Sequence, residues 1–155
     1  SSSAASDVYK RQEEGEAVTK DYSKLNTYEM LQKGSRVAIV ALGTFLGLGK
    51  EVAANLEKKT GTVATVINPV YYSGIDTGML ESLKADHDVV ITIEDGILDG
   101  GFGEKITRFY GNSNMKVLNF GLKKEFLDRY DVQEVLTDNH LTKDQIVADI
   151  TEVLA

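Results

Sequence analysis

Residues 88–103 read DVVITIEDGILDGGFG. An apolar run, Val89 to Ile93, ends in two carboxylates, Glu94 and Asp95, and is followed by Gly96 and by glycines at 100, 101 and 103. The pattern predicts a buried strand that delivers acids and pliable backbone to the edge of a sheet, where open α/β folds place their ligands.

The flanking segments repeat that logic. Thr27 to Leu31, then Lys33-Gly34-Ser35, then Arg36 to Leu42 read as two strands joined by a tight glycine turn, the second apolar throughout and so covered on both faces. Gly43 breaks the run and Thr44 can cap a helix. Leu48, Val52 and Leu56 then recur at helical spacing until Lys58, Lys59 and Gly61 supply a cationic last turn and a stop. Val63 to Ile67 is the next strand, closed by Asn68-Pro69. Asp76 caps a short helix whose apolar face is Met79, Leu80 and Leu83. After the glycines, Glu104 to Tyr110 reads as a helix with Ile106, Phe109 and Tyr110 inward, closed by Gly111, and Met115 to Phe120 is the last strand. Two helices finish the chain: Asp131 with Glu134 and Thr142 with Gln145 have capping-box spacing, and Ile146, Ile150, Val153 and Leu154 form a core stripe. Strands alternating with helices argue for α/β architecture with a parallel or mostly parallel sheet and helices on both faces.

At the amino end, residues 1–12 (SSSAASDVYKRQ) are small and polar without periodicity, and look like a non-native leader encoded by an adapter or vector. Residues 13–26 are charged, with one glycine and no helical stripe, as expected of a linker from upstream domains. Residues 27–155 form one domain, long enough to bury roughly 68–70% of its unfolded surface.

Composition removes several function classes. The chain carries 24 acidic and 17 basic residues, a net charge of -7, with no Lys/Arg cluster. Nucleic acid and anionic membranes are therefore poor partners. No cysteine is present, which excludes a disulfide scaffold, a thiolate zinc site and a cysteine nucleophile, and fits the cytoplasm. No apolar run reaches the ~18 residues of a membrane span, and residues 1–12 lack the apolar core of a signal peptide.

Gly43 to Lys50, GTFLGLGK, joins a strand to a helix but fails as a nucleotide loop. Five residues, not four, separate Gly43 from Gly49-Lys50, and Glu51 follows where Ser or Thr is needed. Close packing of the turn explains its glycines equally well. Gly100, Gly101 and Gly103 can present backbone amides to an anion. Yet Glu94, Asp95, Asp99 and Glu104 put four carboxylates within eleven residues, which repel a phosphate and favour a tightly packed glycine turn. Glu94 and Asp95, as strand neighbours, point to opposite faces and cannot form one acid/base pair unless the strand has ended, so capping or hydrogen bonding suits them better. His87 and His140 read as solvated loop residues without metal-site spacing. Tyr71 and Tyr72 offer either a stacking surface or a partly buried aromatic contact. No nucleophile with its base and no complete ligand set is visible, so no catalytic, cofactor or metal residue is assigned.

Taken together, VAIVALGT at 37–44, a strand ending in INP with Gly74-Ile75-Asp76 after it, ITIEDGILDGGFGEKI at 91–106 and VLNFGL at 117–122 resemble the C-terminal domain of 1-deoxy-D-xylulose-5-phosphate synthases. More broadly they resemble the C-terminal domain shared by transketolases and 2-oxoacid dehydrogenase beta subunits. The resemblance implies a three-layer α/β/α fold with a five-stranded mixed, mostly parallel sheet, in which Thr27 to Leu31 is the antiparallel edge strand. It implies a whole enzyme that condenses pyruvate with glyceraldehyde 3-phosphate on thiamine diphosphate and Mg²⁺, both held by upstream domains, with none bound by this one. It also implies contacts with those domains and a homodimer, and it nominates Tyr71, Tyr72, Asp76, Glu94, Asp95, Gly100, Gly101 and Gly103 as contact residues. Many relatives carry Arg-Phe-x-Lys-Pro-Leu-Asp where residues 70–76 read VYYSGID, which keeps an aromatic and Asp76 but neither cation; many have Gly-Leu-Pro-Asp where 121–124 read GLKK. The rival expectations are a partner-docking module of another transketolase-like or dehydrogenase-beta-type protein, and a flavodoxin-like nucleotide binder.

Overall fold

The computed structural model describes residues 27–69, 74–97, 101–122 and 132–155, apart from the side chains of 95–97 and 132–134. Five strands, β1 (Glu29–Gln32), β2 (Arg36–Ala41), β3 (Thr65–Asn68), β4 (His87–Ile97) and β5 (Lys116–Leu122), form one sheet in the order β1-β3-β2-β4-β5. Five helices accompany them: α1 (Leu46–Thr60), α2 (Thr77–Leu83), α3 (Phe102–Phe109), α4 (Val132–Asp138) and α5 (Lys143–Leu154). β1 runs antiparallel to β3, and the other pairs are parallel. The mixed sheet and its antiparallel edge are those the resemblance implies.

β2 and β4 are central, and their alternation splits the interior in two. Val37, Ile39, Ala41, Val89, Ile91 and Ile93 pack with Val52 and Leu56 of α1 and with Ile146, Val147 and Ile150 of α5. Ala38, Val40 and Val90 face the other way, against Leu80 and Leu83 of α2, Phe102 and Ile106 of α3, and Tyr110 just after it. A strand covered on both faces cannot afford a polar side, which is why these runs read as continuously apolar. From β2 the chain moves outward to β3 through α1, then back across β2 to β4 through α2. Reversal of direction with a change of face is what right-handed crossovers require, and it leaves a topological switch between the carboxyl ends of β2 and β4.

Local signals explain most element ends. Gly61 ends α1 in the left-handed region at φ 77°, with Lys58 and Lys59 in the last turn. Asp76 caps α2 by accepting from the Met79 N–H at 3.0 Å. Thr142 and Gln145 make the reciprocal capping box of α5. The Asp131–Glu134 box is outside the described residues. Gly49 packs α1 onto β2, where a Cβ would sit 2.8 Å from that of Ala41.

Four expectations change. The two first strands exist but do not pair with each other, because β1 crosses over to β3. Gly34 serves close approach instead: a Cβ there would run into the Val63 carbonyl, which accepts the Ser35 N–H at 2.9 Å. The residue at the N-cap of α1 is Phe45, after a 3-10 turn over Gly43–Phe45, and it makes no side-chain cap. α3 begins at Phe102, not at Glu104, and β4 continues through Ile97.

His87 is the fourth correction. Its side chain is fully buried, because the start of β4 lies under the β1–β2 connection. Nε2 lies 2.8 Å from Thr65 Oγ1 and Nδ1 lies 2.6 Å from Asp86 Oδ1. The Asp86 carboxylate can only accept, so Nδ1 carries a proton, and Thr65 Oγ1, which also accepts the Gly34 N–H at 2.9 Å, lies against Nε2. Lys33, hydrogen-bonded to Asp86, holds that carboxyl below its usual range. His140 remains half-exposed and pairs with Asp149 at 3.0 Å. Among the described residues no helix is long and apolar enough to cross a membrane.

Gly34→Ala is expected to cost about 3 kcal/mol or more in denaturant unfolding, since backbone must move to admit the methyl group. Burial raises the Tyr28 and Tyr110 phenols far above their ordinary value of 10.0. A raised pKa contributes stability that is complete below the unfolded value and lost as pH climbs above it. Alkaline titration followed at 295 nm should therefore show these two tyrosines ionising only as the fold is lost, with Tyr110→Phe removing one of them.

Candidate functional site

The carboxyl end of β4 carries the acidic and glycine stretch directly to α3, beside the switch point. Leu42, just past β2, donates its N–H to the Ile93 carbonyl at 2.8 Å, so the strand ends stay joined there. Glu94, one residue on, is 3% exposed. Its Oε1 accepts the Phe102 N–H at 3.1 Å and its Oε2 the Gly103 N–H at 2.7 Å. These are first-turn amides with no partner inside the helix, and a carboxylate there also complements the helix dipole. The capping role expected of Glu94 is the one it plays.

Gly103 is closely packed. A Cβ would lie 2.7 Å from Thr92 Oγ1 and 2.7 Å from the Asn119 side chain. Thr92 Oγ1 donates to Asn119 Oδ1 at 2.6 Å, Asn119 Nδ2 donates to Thr107 Oγ1 at 2.8 Å, and Thr107 donates to the Gly103 carbonyl at 3.0 Å. This chain of bonds ties β4, β5 and α3 together around one missing side chain. Thus the glycine motif and the VLNFGL segment are two halves of one contact.

Asp76 joins the cluster from the other side. Its Oδ2 accepts the Tyr28 N–H at 2.8 Å, and the Tyr28 hydroxyl donates to the Gly74 carbonyl at 3.3 Å. The Tyr28 ring lies 6.1 Å from that of Phe102. Asp76, Tyr28, Phe102 and Glu94 therefore form a continuous chain of contacts. Gly101 stands at the N-cap of α3 in extended conformation, φ -85°. Asp95 belongs to the β4 backbone, while its side chain, together with Tyr71, Tyr72, Asp99 and Gly100, lies outside the described residues.

The structure thus brings together Asp76, Glu94, Gly101 and Gly103, and adds Tyr28, Thr92, Phe102, Thr107 and Asn119. Thr92 and Asn119 could have been found from sequence, as polar residues within apolar strands need partners. Tyr28 could not, because nothing near it in sequence points to Asp76.

Chemically the cluster is a carboxylate–amide lock. Among the described residues no group of three His, Asp or Glu side chains could hold a metal ion. A diphosphate would meet the Glu94 carboxylate on the amides it needs, so these residues do not fit a thiamine diphosphate–Mg²⁺ site. A hollow of about 300 Å³ beside the cluster is lined by Gly74, Ile75, Lys105, Arg108 and Phe109. A larger one, about 660 Å³, lies at the opposite, amino ends of β2, β4 and β5, where Arg36 and Asp88 neutralise each other at 3.1 Å.

Fold and site define an open α/β/α domain in which a carboxylate of β4 binds the first amides of α3 beside the switch point. The family model described as "Transketolase, C-terminal domain" matches residues 26–146, and the chain belongs to that family. It is 32% identical over 145 residues to the 1-deoxy-D-xylulose-5-phosphate synthase of Vibrio campbellii, covering 91% of this chain and 22% of the relative. It is 29% identical over 133 residues to the enzyme of that name from Carboxydothermus hydrogenoformans, covering 84% and 21%. The chain thus spans about a fifth of the length of these curated relatives. Among solved structures, a split gene transketolase described as an inactive beta4 tetramer superimposes with a TM-score of 0.73 at 26% identity, covering 82% of this chain and 42% of that one. The transketolase of Campylobacter jejuni gives 0.59 at 20% identity, covering 87% and 20%, which shares the fold.

Gly103→Ala should destabilise the chain by about 1–3 kcal/mol in denaturant unfolding, because Thr92 and Asn119 are held by their own bonds and cannot yield freely. Asn119→Ala, which breaks the chain of bonds, should lower that penalty when combined with it, and a double-mutant cycle measures the coupling.

Proposed function

We propose that this chain is the C-terminal domain of a 1-deoxy-D-xylulose-5-phosphate synthase and serves assembly, not chemistry. The observation that carries the reading is the coverage: nine-tenths of this chain aligns with about a fifth of a synthase. The transketolase-type reaction of the whole enzyme would be the thiamine-diphosphate-dependent condensation of pyruvate with glyceraldehyde 3-phosphate, with loss of carbon dioxide, feeding isoprenoid and thiamine precursors in the cytoplasm. Thiamine diphosphate and Mg²⁺ would be held by upstream domains.

In this reading residues 1–12 are a leader, 13–26 a linker from those domains, and 27–155 the assembly domain, a division supported by the family match beginning at residue 26. The stretch from Glu94 to Gly103, with Tyr71, Tyr72 and Asp76, docks on the cofactor-binding domains and helps form a homodimer. Its support is the geometry beside it: the first amides of α3 are already taken by Glu94 and form no open ligand cradle. A second reading, a docking module carried on a chain of its own, is favoured by the likeness to a split gene transketolase.

Calorimetry of the 155-residue chain with thiamine diphosphate and Mg²⁺ should show no binding and no synthase turnover; micromolar binding would overturn the assembly reading. In the whole enzyme, Gly101→Leu should impair assembly more than it lowers the melting temperature of this domain, and equal losses would count against docking. Sequence upstream of Glu13 separates the two readings, since a thiamine-type Gly-Asp-Gly…Asn motif there belongs to a synthase.

A further inference from the structure

Glu94 has an unusual position relative to what it binds. It sits near the end of β4, and its carboxylate accepts the amides of Phe102 and Gly103, eight and nine residues further on, at 3.1 and 2.7 Å. The amides at a helix start next to the switch point are those that doubly wound folds use for phosphate. Here both are occupied from inside, by a side chain 3% exposed.

The amides are not aimed by a ligand. Gly103 is fixed by its contact with Thr92 and Asn119, and its carbonyl accepts the Thr107 hydroxyl. Phe102 is fixed by burial in the core beside Tyr28. The donors would keep their direction with the carboxylate removed, and their dipole would then face an empty, carboxylate-sized space.

We propose that Glu94 is a built-in anion ligand. It is a positioning residue that closes the α3 amide pair to external anions and ties the end of β4 to the start of α3. The proposal concerns the chemistry of this chain alone and holds whether or not the segment docks on another domain. A charge-assisted bond of this kind is stronger than a neutral one, so a glutamine of the same shape cannot replace it in full.

The test compares wild type, Glu94→Ala and Glu94→Gln by thermal melting in sodium acetate against sodium chloride at matched ionic strength. Acetate should raise the melting temperature of Glu94→Ala by several degrees in a saturable way, and leave wild type and Glu94→Gln unchanged relative to chloride. Absence of rescue in a folded Glu94→Ala, or an equal rise in all three, overturns the proposal. If Glu94→Ala does not fold, Glu94→Gln decides by NMR. Its Phe102 and Gly103 amide protons should move upfield and exchange roughly tenfold faster, as loss of a charge-assisted bond implies. Unchanged shifts and exchange would reduce Glu94 to a space filler.

Discussion

The carboxylate of Glu94 on the first amides of α3 is the contact on which the carboxyl end of the sheet depends. It satisfies two donors that no backbone group could reach, and it does so where water is excluded, so leaving them unmet would cost the full desolvation of each. It joins elements that packing already holds: Phe102 lies against Tyr28, and Tyr28 in turn meets Asp76, the cap of α2. One acid thereby closes a face on which two helices, an edge segment and the central strand meet. The bond is short in sequence, eight or nine residues, yet its consequences run across the whole face.

The same face lies at the switch point of the fold. Open α/β sheets leave a crevice at the point where strand order reverses, and the present topology has one between β2 and β4. The turn on the β2 side is filled by packing, with Gly49 set against Ala41. On the β4 side an internal carboxylate takes the helix start.

Local chemistry made much of this readable. Val37 to Ala41 and Val89 to Ile93 announce central strands because residues buried on both faces have no polar alternation. Asp76 and the Thr142–Gln145 pair announce helix starts because an N-cap acts over three residues. Gly61 announces a stop because a positive φ favours glycine. Gly34 was legible as a glycine of consequence, but not for the right reason: a turn joining adjacent strands and a close approach by Val63 write the same letter. His87 was misread because its neighbours Asp86 and Asp88 look solvated, while the strand start between them is covered by the Lys33–Ser35 connection and Thr65. Burial is a property of what arrives from elsewhere in the chain.

By itself, then, the sequence determined the alternation of strands and helices, the core stripes, most of the caps, and the acid-and-glycine composition of the β4–α3 junction, since each depends on residues within a few positions of one another. Tertiary structure alone decided that β1 leaves its neighbour to pair with β3, that Thr92, Gly103 and Asn119 meet, and that Tyr28 binds Asp76 from 48 residues away. It also decided what Glu94 is for. A carboxylate after a buried strand is ambiguous between catalysis, metal binding and capping until the position of the next helix is known, because the three roles differ only in which atoms stand within 3 Å of it.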